Sequence, residues 1–207
     1  MLDFIHPIAQ EKLHQQVQHL APCRLRFSFL AAIPSVEQEC EKAISQIDIK
    51  LTSVAYSFMM GDFDTVIKES REALSQTDYP QKYKNFFESY LIRSIVLTDT
   101  DLSREELEDR LNELTITDPT PAEKTKKVCL ALYDLTIAHQ SNDYFEDLSN
   151  DFKYQQLEII YYQALNATLK GDKDRAKELF RKLISEDESL YIVRKAKQYL
   201  EDEGSHL

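Results

Sequence analysis

Residues 155–184, QQLEIIYYQALNATLKGDKDRAKELFRKLI, have the sequence pattern of a helical hairpin. Its first half, Gln155 to Leu169, carries apolar residues at the spacing of an α-helix, and Gly171-Asp172 interrupts the pattern. Lys173 to Ile184 then resumes as a second amphipathic helix. A weaker copy of the same design turns on Gly61-Asp62. The chain is therefore predicted to repeat a unit of two helices joined by a tight turn.

Length and composition favour a helical protein. The chain has 207 residues, which is enough to bury a core without metal or disulfide cross-links. Only 3 Gly and 6 Pro occur, while Leu, Ala, Glu, Lys and Gln recur, and these residues favour long helices over sandwiches, barrels or Gly-rich nucleotide loops. We therefore expect an all-α fold.

The charge of the chain is negative and uneven. The formal net charge is -11, and residues 99–151 carry 14 acidic against 5 basic side chains. Residues 170–199 reverse the balance mildly, with 9 basic against 6 acidic side chains. A net negative surface repels a polyanion, and a solvated helix face explains the mild basic end more simply than a binding site. Nucleic acid is therefore not an expected partner.

Cysteine usage and the absence of long apolar runs in the sequence favour a cytoplasmic location. Cys23, Cys40 and Cys129 lie among apolar neighbours with no spacing typical of metal ligands, so we expect buried, reduced thiols. Asp3, His6 and Glu11 interrupt the region where a secretory signal needs an apolar core. No run approaches the length of a membrane span, so no membrane association is expected.

Capping patterns place several helix boundaries. Ser35 with Gln38, and Ser103 with Glu106, match the capping box, in which the first turn's side chains and backbone amides bond reciprocally. We expect long helices over residues 34–60 and 81–97, a short helix after Ser103, a helix beginning around 120–123, and a final helix over 190–200. Residues 142–148 are predicted to form a short partner helix.

The C-terminal hairpin resembles a tetratricopeptide repeat. Ala164 matches the small residue of that family's first helix, Gly171-Asp172 its turn, and Ala176 and Phe180 the residues that fill the contact between the two helices. The family's leucine and closing proline fall on Gln163 and Glu188, and the copy around Gly61 keeps the turn and Ala73 but has Val66 and Ser70 at the other positions. The resemblance implies a right-handed αα-hairpin solenoid.

About five helix pairs follow at a spacing of 30 to 40 residues, a period typical of such solenoids. Residues 34–203 are predicted to form the solenoid, and residues 204–207 a frayed tail. Residues 1–33 are predicted to pack on it as a helical segment, although Arg24 to Phe29 alternates like a strand and leaves that alternative open. The apolar end of an open stack of helices can also pair with a second copy of the chain, so a homodimer is a further alternative.

The resemblance implies a binding surface on the first helix of each pair, which lines the concave groove of the solenoid. In this chain the implied partner-binding residues are Glu158, Tyr161, Tyr162, Leu165, Phe58, Met59 and Asp48. These side chains are aromatic, aliphatic and slightly acidic, so they suit an apolar or amphipathic segment with some positive charge. Contact with adjacent helices is an equally good explanation for four of them: Tyr161, Tyr162, Phe58 and Met59.

Signals of catalysis are weak. His139, Asp143 and Glu146 resemble a partial metal or acid–base set, but Ser141-Asn142 is predicted to break the helix between them. Gly61, Gly171 and Gly204 form no Gly-rich phosphate loop. We therefore expect no enzyme, no metal and no cofactor, and predict a non-catalytic scaffold that binds a protein or peptide segment. A peptide-sensing regulatory domain and a secretion-type chaperone are the alternatives.

Overall fold

The computed structural model describes residues 34–116, 119–148 and 153–204. Eight α-helices occupy this part of the chain: α1 (Pro34–Met60), α2 (Phe63–Ser75), α3 (Gln81–Thr98), α4 (Arg104–Asn112), α5 (Pro119–Thr136), α6 (Lys153–Leu169), α7 (Lys173–Leu183) and α8 (Tyr191–Gly204). A single 3₁₀ turn, Asp143–Phe145, precedes α6. Since these residues contain no strand, the predicted all-α class is confirmed for the described part of the chain.

The chain divides into two compact units between Asp48 and Ile49, inside α1. In the first unit, residues 34–48 form the N-terminal half of α1. The second unit contains the rest of α1 and all later helices. Within it the closest helix pairs are α2 with α3 and α6 with α7, while α3 packs on α5 and α7 packs on α8.

The two Gly-Asp turns have the same geometry. Gly61 and Gly171 have φ angles of 77° and 78°, in the left-handed region that glycine enters without a Cβ penalty. The amides of Asp62 and Asp172 each donate 2.9 Å bonds to a carbonyl of the preceding helix. Each aspartate then accepts a 3.2 Å bond from an amide in the first turn of the next helix. The hairpin at Gly61 is therefore a structural copy of the one at Gly171.

Equivalent positions in the two hairpins are also buried alike. Counting from each glycine, four pairs of side chains correspond, and all eight are 0% exposed: Val54 with Ala164, Val66 with Ala176, Ser70 with Phe180, and Ala73 with Leu183. At each of these positions one hairpin has a larger side chain than the other, so the space between the two helices is filled by different residues in the two copies. The degenerate residues of the first copy thus occupy the same core positions as those of the second.

Helix α8 contacts the first hairpin as well as α7. The rings of Phe63 and Tyr191 lie 5.0 Å apart, and the guanidinium of Arg194 donates a 2.7 Å bond to the carbonyl of Met60. A Cβ added at Gly61 would lie 2.6 Å from Cδ2 of Tyr191, so the turn and the ring pack without spare room. In an open stack each pair contacts only its neighbours. Here the C-terminal helix returns to the first turn.

Several predicted helix boundaries agree with the structure. Helix α1 spans Pro34–Met60 as predicted, and both bonds of the Ser103–Glu106 capping box are present. Two boundaries were wrong. Within residues 142–148 only Asp143–Phe145 forms a 3₁₀ turn, which Asn142 caps by accepting from the amide of Tyr144, and α8 continues past Leu200 to Gly204. The predictions for residues 1–33 and 205–207 lie outside the described residues.

Candidate functional site

The structure places most of the predicted partner-binding residues in the core. Phe58 and Tyr162 are each 2% exposed, and Glu158 and Tyr161 are each 7% exposed. Two further residues, Met59 and Leu165, are half-buried and pack against the same core. Asp48 belongs to the first unit. The four buried side chains can meet a partner only if the helices around them separate.

Arg93 on α3 joins two of these predicted residues. Its guanidinium bonds to the Glu158 carboxylate of α6, with Nη2 and Oε1 2.5 Å apart, and lies 4.5 Å from the ring centroid of Phe58. Tyr90, one turn earlier on α3, has its ring 5.3 Å from that of Phe58. Arg93 therefore connects the last turns of α1 with the middle of α6.

The pair is almost enclosed by apolar and aromatic groups. The Arg93 and Glu158 side chains are 17% and 9% exposed. Burial raises the pKa of Glu158, and the nearby Arg93 opposes that rise. Burial alone would lower the pKa of Arg93, but the charge of Glu158 and the surrounding tyrosines raise it. Each charge is thus held in the core by the other, an arrangement that fixes geometry more than it adds stability.

Neighbouring tyrosines complete this cluster. The ring of Tyr162 packs 4.8 Å from that of Phe145 and 5.3 Å from that of Tyr161. Burial raises the pKa of Tyr162 well above its usual value, with a further contribution from the Glu158 charge. These phenols stay protonated at neutral pH, and no nucleophile is paired with a base among the side chains of the cluster. The arrangement holds three helices together.

A second polar cluster contains two of the residues considered for metal or acid–base chemistry. The fully buried Asn166 donates to Oδ1 of Asp143 at 2.9 Å and to Oε1 of Glu146 at 2.7 Å. Lys170 forms an ion pair with Asp143, and Arg175 forms one with Glu146. Hydrogen bonds from Lys170 and then Asn166 lower the pKa of Asp143. The carboxylates therefore anchor the 3₁₀ turn to α6 and α7.

His139, between α5 and the 3₁₀ turn, lies on the surface with a left-handed φ of 50°. Across the described ranges, no group of three or more His, Cys, Asp or Glu side chains is placed to hold a metal ion. No helix in the same ranges is long and apolar enough to cross a membrane.

Arg93 and Asn166 were missed in the sequence because each lies inside a helix with a broad apolar face. The sequence does contain a signal for them: a charged or amide side chain with apolar neighbours at helical spacing, Tyr90, Val96 and Leu97 for Arg93 or Tyr162 and Leu169 for Asn166, has to find a buried partner. The sequence predicts that each side chain needs a buried hydrogen-bonding or charged partner but not which residue supplies it.

Comparisons with protein-family models, with curated proteins and with solved structures give no match to this chain.

Proposed function

We propose that the chain is a non-catalytic scaffold that binds a protein or peptide segment. The supporting observation is the repeated hairpin: two Gly-Asp turns with the same bonds and four equivalent buried positions in each. Repeated helix pairs build extended surfaces whose residues vary while the packing positions stay filled, and such arrays serve mainly for binding. A tetratricopeptide-like, right-handed arrangement of about five pairs is part of this proposal, modified by the contact of α8 with the turn at Gly61.

The accessible surface sets where a partner binds in this conformation. Since Phe58, Glu158 and Tyr162 fill the core, binding through them needs α3 and α6 to separate, which breaks the Arg93–Glu158 pair. Exposed apolar side chains offer a contact without that cost. Tyr56 on α1 is 59% exposed, and Phe86 on α3 is 43% exposed. The partner we propose is an apolar or amphipathic segment with some positive charge, which complements the net charge of -11.

A peptide selection tests this function. The purified chain is presented with a displayed library of random peptides, and an unrelated helical protein of similar net charge is the control. We expect enriched peptides that combine apolar residues with lysine or arginine, with dissociation constants near 1 μM, or about -8 kcal/mol. Replacing Tyr56 or Phe86 by serine identifies the surface without disturbing the core. If the chain enriches no peptide beyond those that the control protein retains, the scaffold function is wrong.

A further inference from the structure

An open groove of about 190 Å³ lies between α2, α3 and α4. Its apolar lining consists of aliphatic side chains from α2, from α3 and from the residues after α4: Leu74, Leu91, Ile92, Ile95 and Leu114. An apolar cavity of about 150 Å³ is enough to hold benzene. The groove therefore has room for one side chain of a bound molecule.

Glu88 contributes a buried carboxylate to this aliphatic lining. The residue is 7% exposed, and its Oε1 accepts from the backbone amide of Thr115 at 3.1 Å and from the Thr115 hydroxyl at 2.5 Å. The other oxygen, Oε2, has no hydrogen-bond partner within the described residues. A buried carboxylate oxygen without a donor is costly, so a ligand that supplies one gains the corresponding free energy.

The charges around the groove favour a cation. Glu113 and Arg110 also line it, and the stretch from Asp99 to Ile116 holds seven acidic against two basic side chains. Hydrogen bonds from Ser103 lower the pKa of Glu106, and the positive charge of Arg110 lowers it further. The local potential is therefore negative, and an anion is disfavoured.

We propose that this groove binds one lysine side chain of the partner segment. The lysine methylenes lie along the aliphatic lining, and the ammonium group donates to Oε2 of Glu88, which is enclosed in the unbound chain and is exposed by a rotation of the carboxylate when the lysine binds. Lysine fits better than arginine because a single acceptor is unpaired, whereas a guanidinium is best matched by two parallel acceptors. A long basic side chain also buries its stem against apolar surface while its charge finds an acceptor. This inference rests on the proposed function, since it names the partner chemistry at one site.

The lysine side-chain analogue n-butylammonium tests the site directly. The chain is titrated with n-butylammonium, with neutral 1-butanol and with anionic butanoate at pH 7, and the methyl signals of Leu91, Ile92 and Leu114 are followed by NMR. Sodium chloride at matched concentration controls for ionic strength. We expect n-butylammonium to shift these methyls at a concentration about tenfold lower than 1-butanol, because its donor is charged. Butanoate is expected to bind most weakly.

Two matched variants locate the preference. Glu88→Gln keeps an oxygen that accepts from Thr115 but removes the negative charge, so the tenfold preference for n-butylammonium is expected to disappear. Asp109→Asn removes one charge from the exposed side of α4 and is expected to leave the preference unchanged. Equal shifts by n-butylammonium and 1-butanol, or no shift of these methyls, overturn the lysine site even if selected peptides still bind. If n-butylammonium binds but no peptide is selected, the site stands and the scaffold function fails.

Discussion

Nη2 of Arg93 lies 2.5 Å from Oε1 of Glu158, although the two residues are 65 positions apart in the chain. The contact joins α3 to α6, and the guanidinium also stacks on Phe58 of α1. Through Arg93, the C-terminal end of α1 in the first hairpin and α6 in the C-terminal hairpin take part in one buried interaction. A change in this pair is therefore expected to affect the packing of both hairpins.

Breaking the pair on one side is expected to be strongly destabilising. Arg93→Met leaves the Glu158 carboxylate buried without its counter-charge, and the expected loss in the free energy of unfolding is about 3–5 kcal/mol. Glu158→Leu is expected to cause a similar loss, because it leaves the Arg93 guanidinium buried without its counter-charge. The double variant restores a neutral core and is expected to lose much less than the sum of the two. Urea unfolding of all four proteins gives the coupling, and additive losses contradict a shared buried pair.

The two turn glycines are expected to tolerate alanine differently. Both have φ near 78°, so each alanine pays about 1–2 kcal/mol for a left-handed backbone. At Gly171 no heavy atom lies within 4 Å of an added Cβ, whereas at Gly61 the ring of Tyr191 lies 2.6 Å away. Gly61→Ala is therefore expected to lower the melting temperature more than Gly171→Ala. Equal losses contradict the packing of α8 on the first turn.

Ser70 is a polar residue that the first hairpin holds at the position of Phe180. It is 0% exposed, and its hydroxyl has no hydrogen-bond partner in the described ranges. Removing an unsatisfied buried hydroxyl is expected to stabilise the protein, so Ser70→Ala raises the free energy of unfolding by about 1 kcal/mol. Ser75→Ala, at the exposed end of the same helix, serves as the control and is expected to change it little. A loss of stability in Ser70→Ala means that the hydroxyl has a partner.

Cys129 is expected to resist alkylation in the folded protein. It is 0% exposed, and burial raises the pKa of its thiol to about 12, despite an opposing effect of the Arg93 charge. Since the thiolate is the reactive form, iodoacetamide at pH 8 has almost none of it to react with, and even at pH 9 only a small fraction of the thiol is ionised. Mass spectrometry of the peptide containing Cys129 follows the modification. Labelling at a similar rate with and without denaturant contradicts the burial of this side chain.

Local features of the fold were predictable from the sequence because their causes are local. The Gly171-Asp172 and Gly61-Asp62 turns each need a left-handed backbone followed by a capping carboxylate, and both requirements are visible in two adjacent letters. The capping box at Ser103 is likewise complete within four residues. The start of α5 was predicted less exactly: the helix begins at Pro119, just before the 120–123 region predicted.

The candidate site was only partly predictable because its contacts are long-range. The resemblance selected Phe58, Glu158 and Tyr162 as residues of a binding groove, and in the structure these side chains surround Arg93. It implied an open groove for them, whereas α6 has buried side chains around most of its circumference. Helical periodicity predicts which face of a helix is apolar, but it does not predict how many other helices cover that face.

Thermal unfolding in the presence of the best selected peptide tests the scaffold function most directly. A ligand that binds only the folded state stabilises it, by about 2.7 kcal/mol at a free concentration one hundred times its dissociation constant. We therefore predict that the melting temperature rises with peptide concentration, and that a scrambled peptide of the same composition has no effect. A melting temperature that stays constant or falls as the peptide is added means that the folded chain is not the binding partner, and contradicts the proposed function.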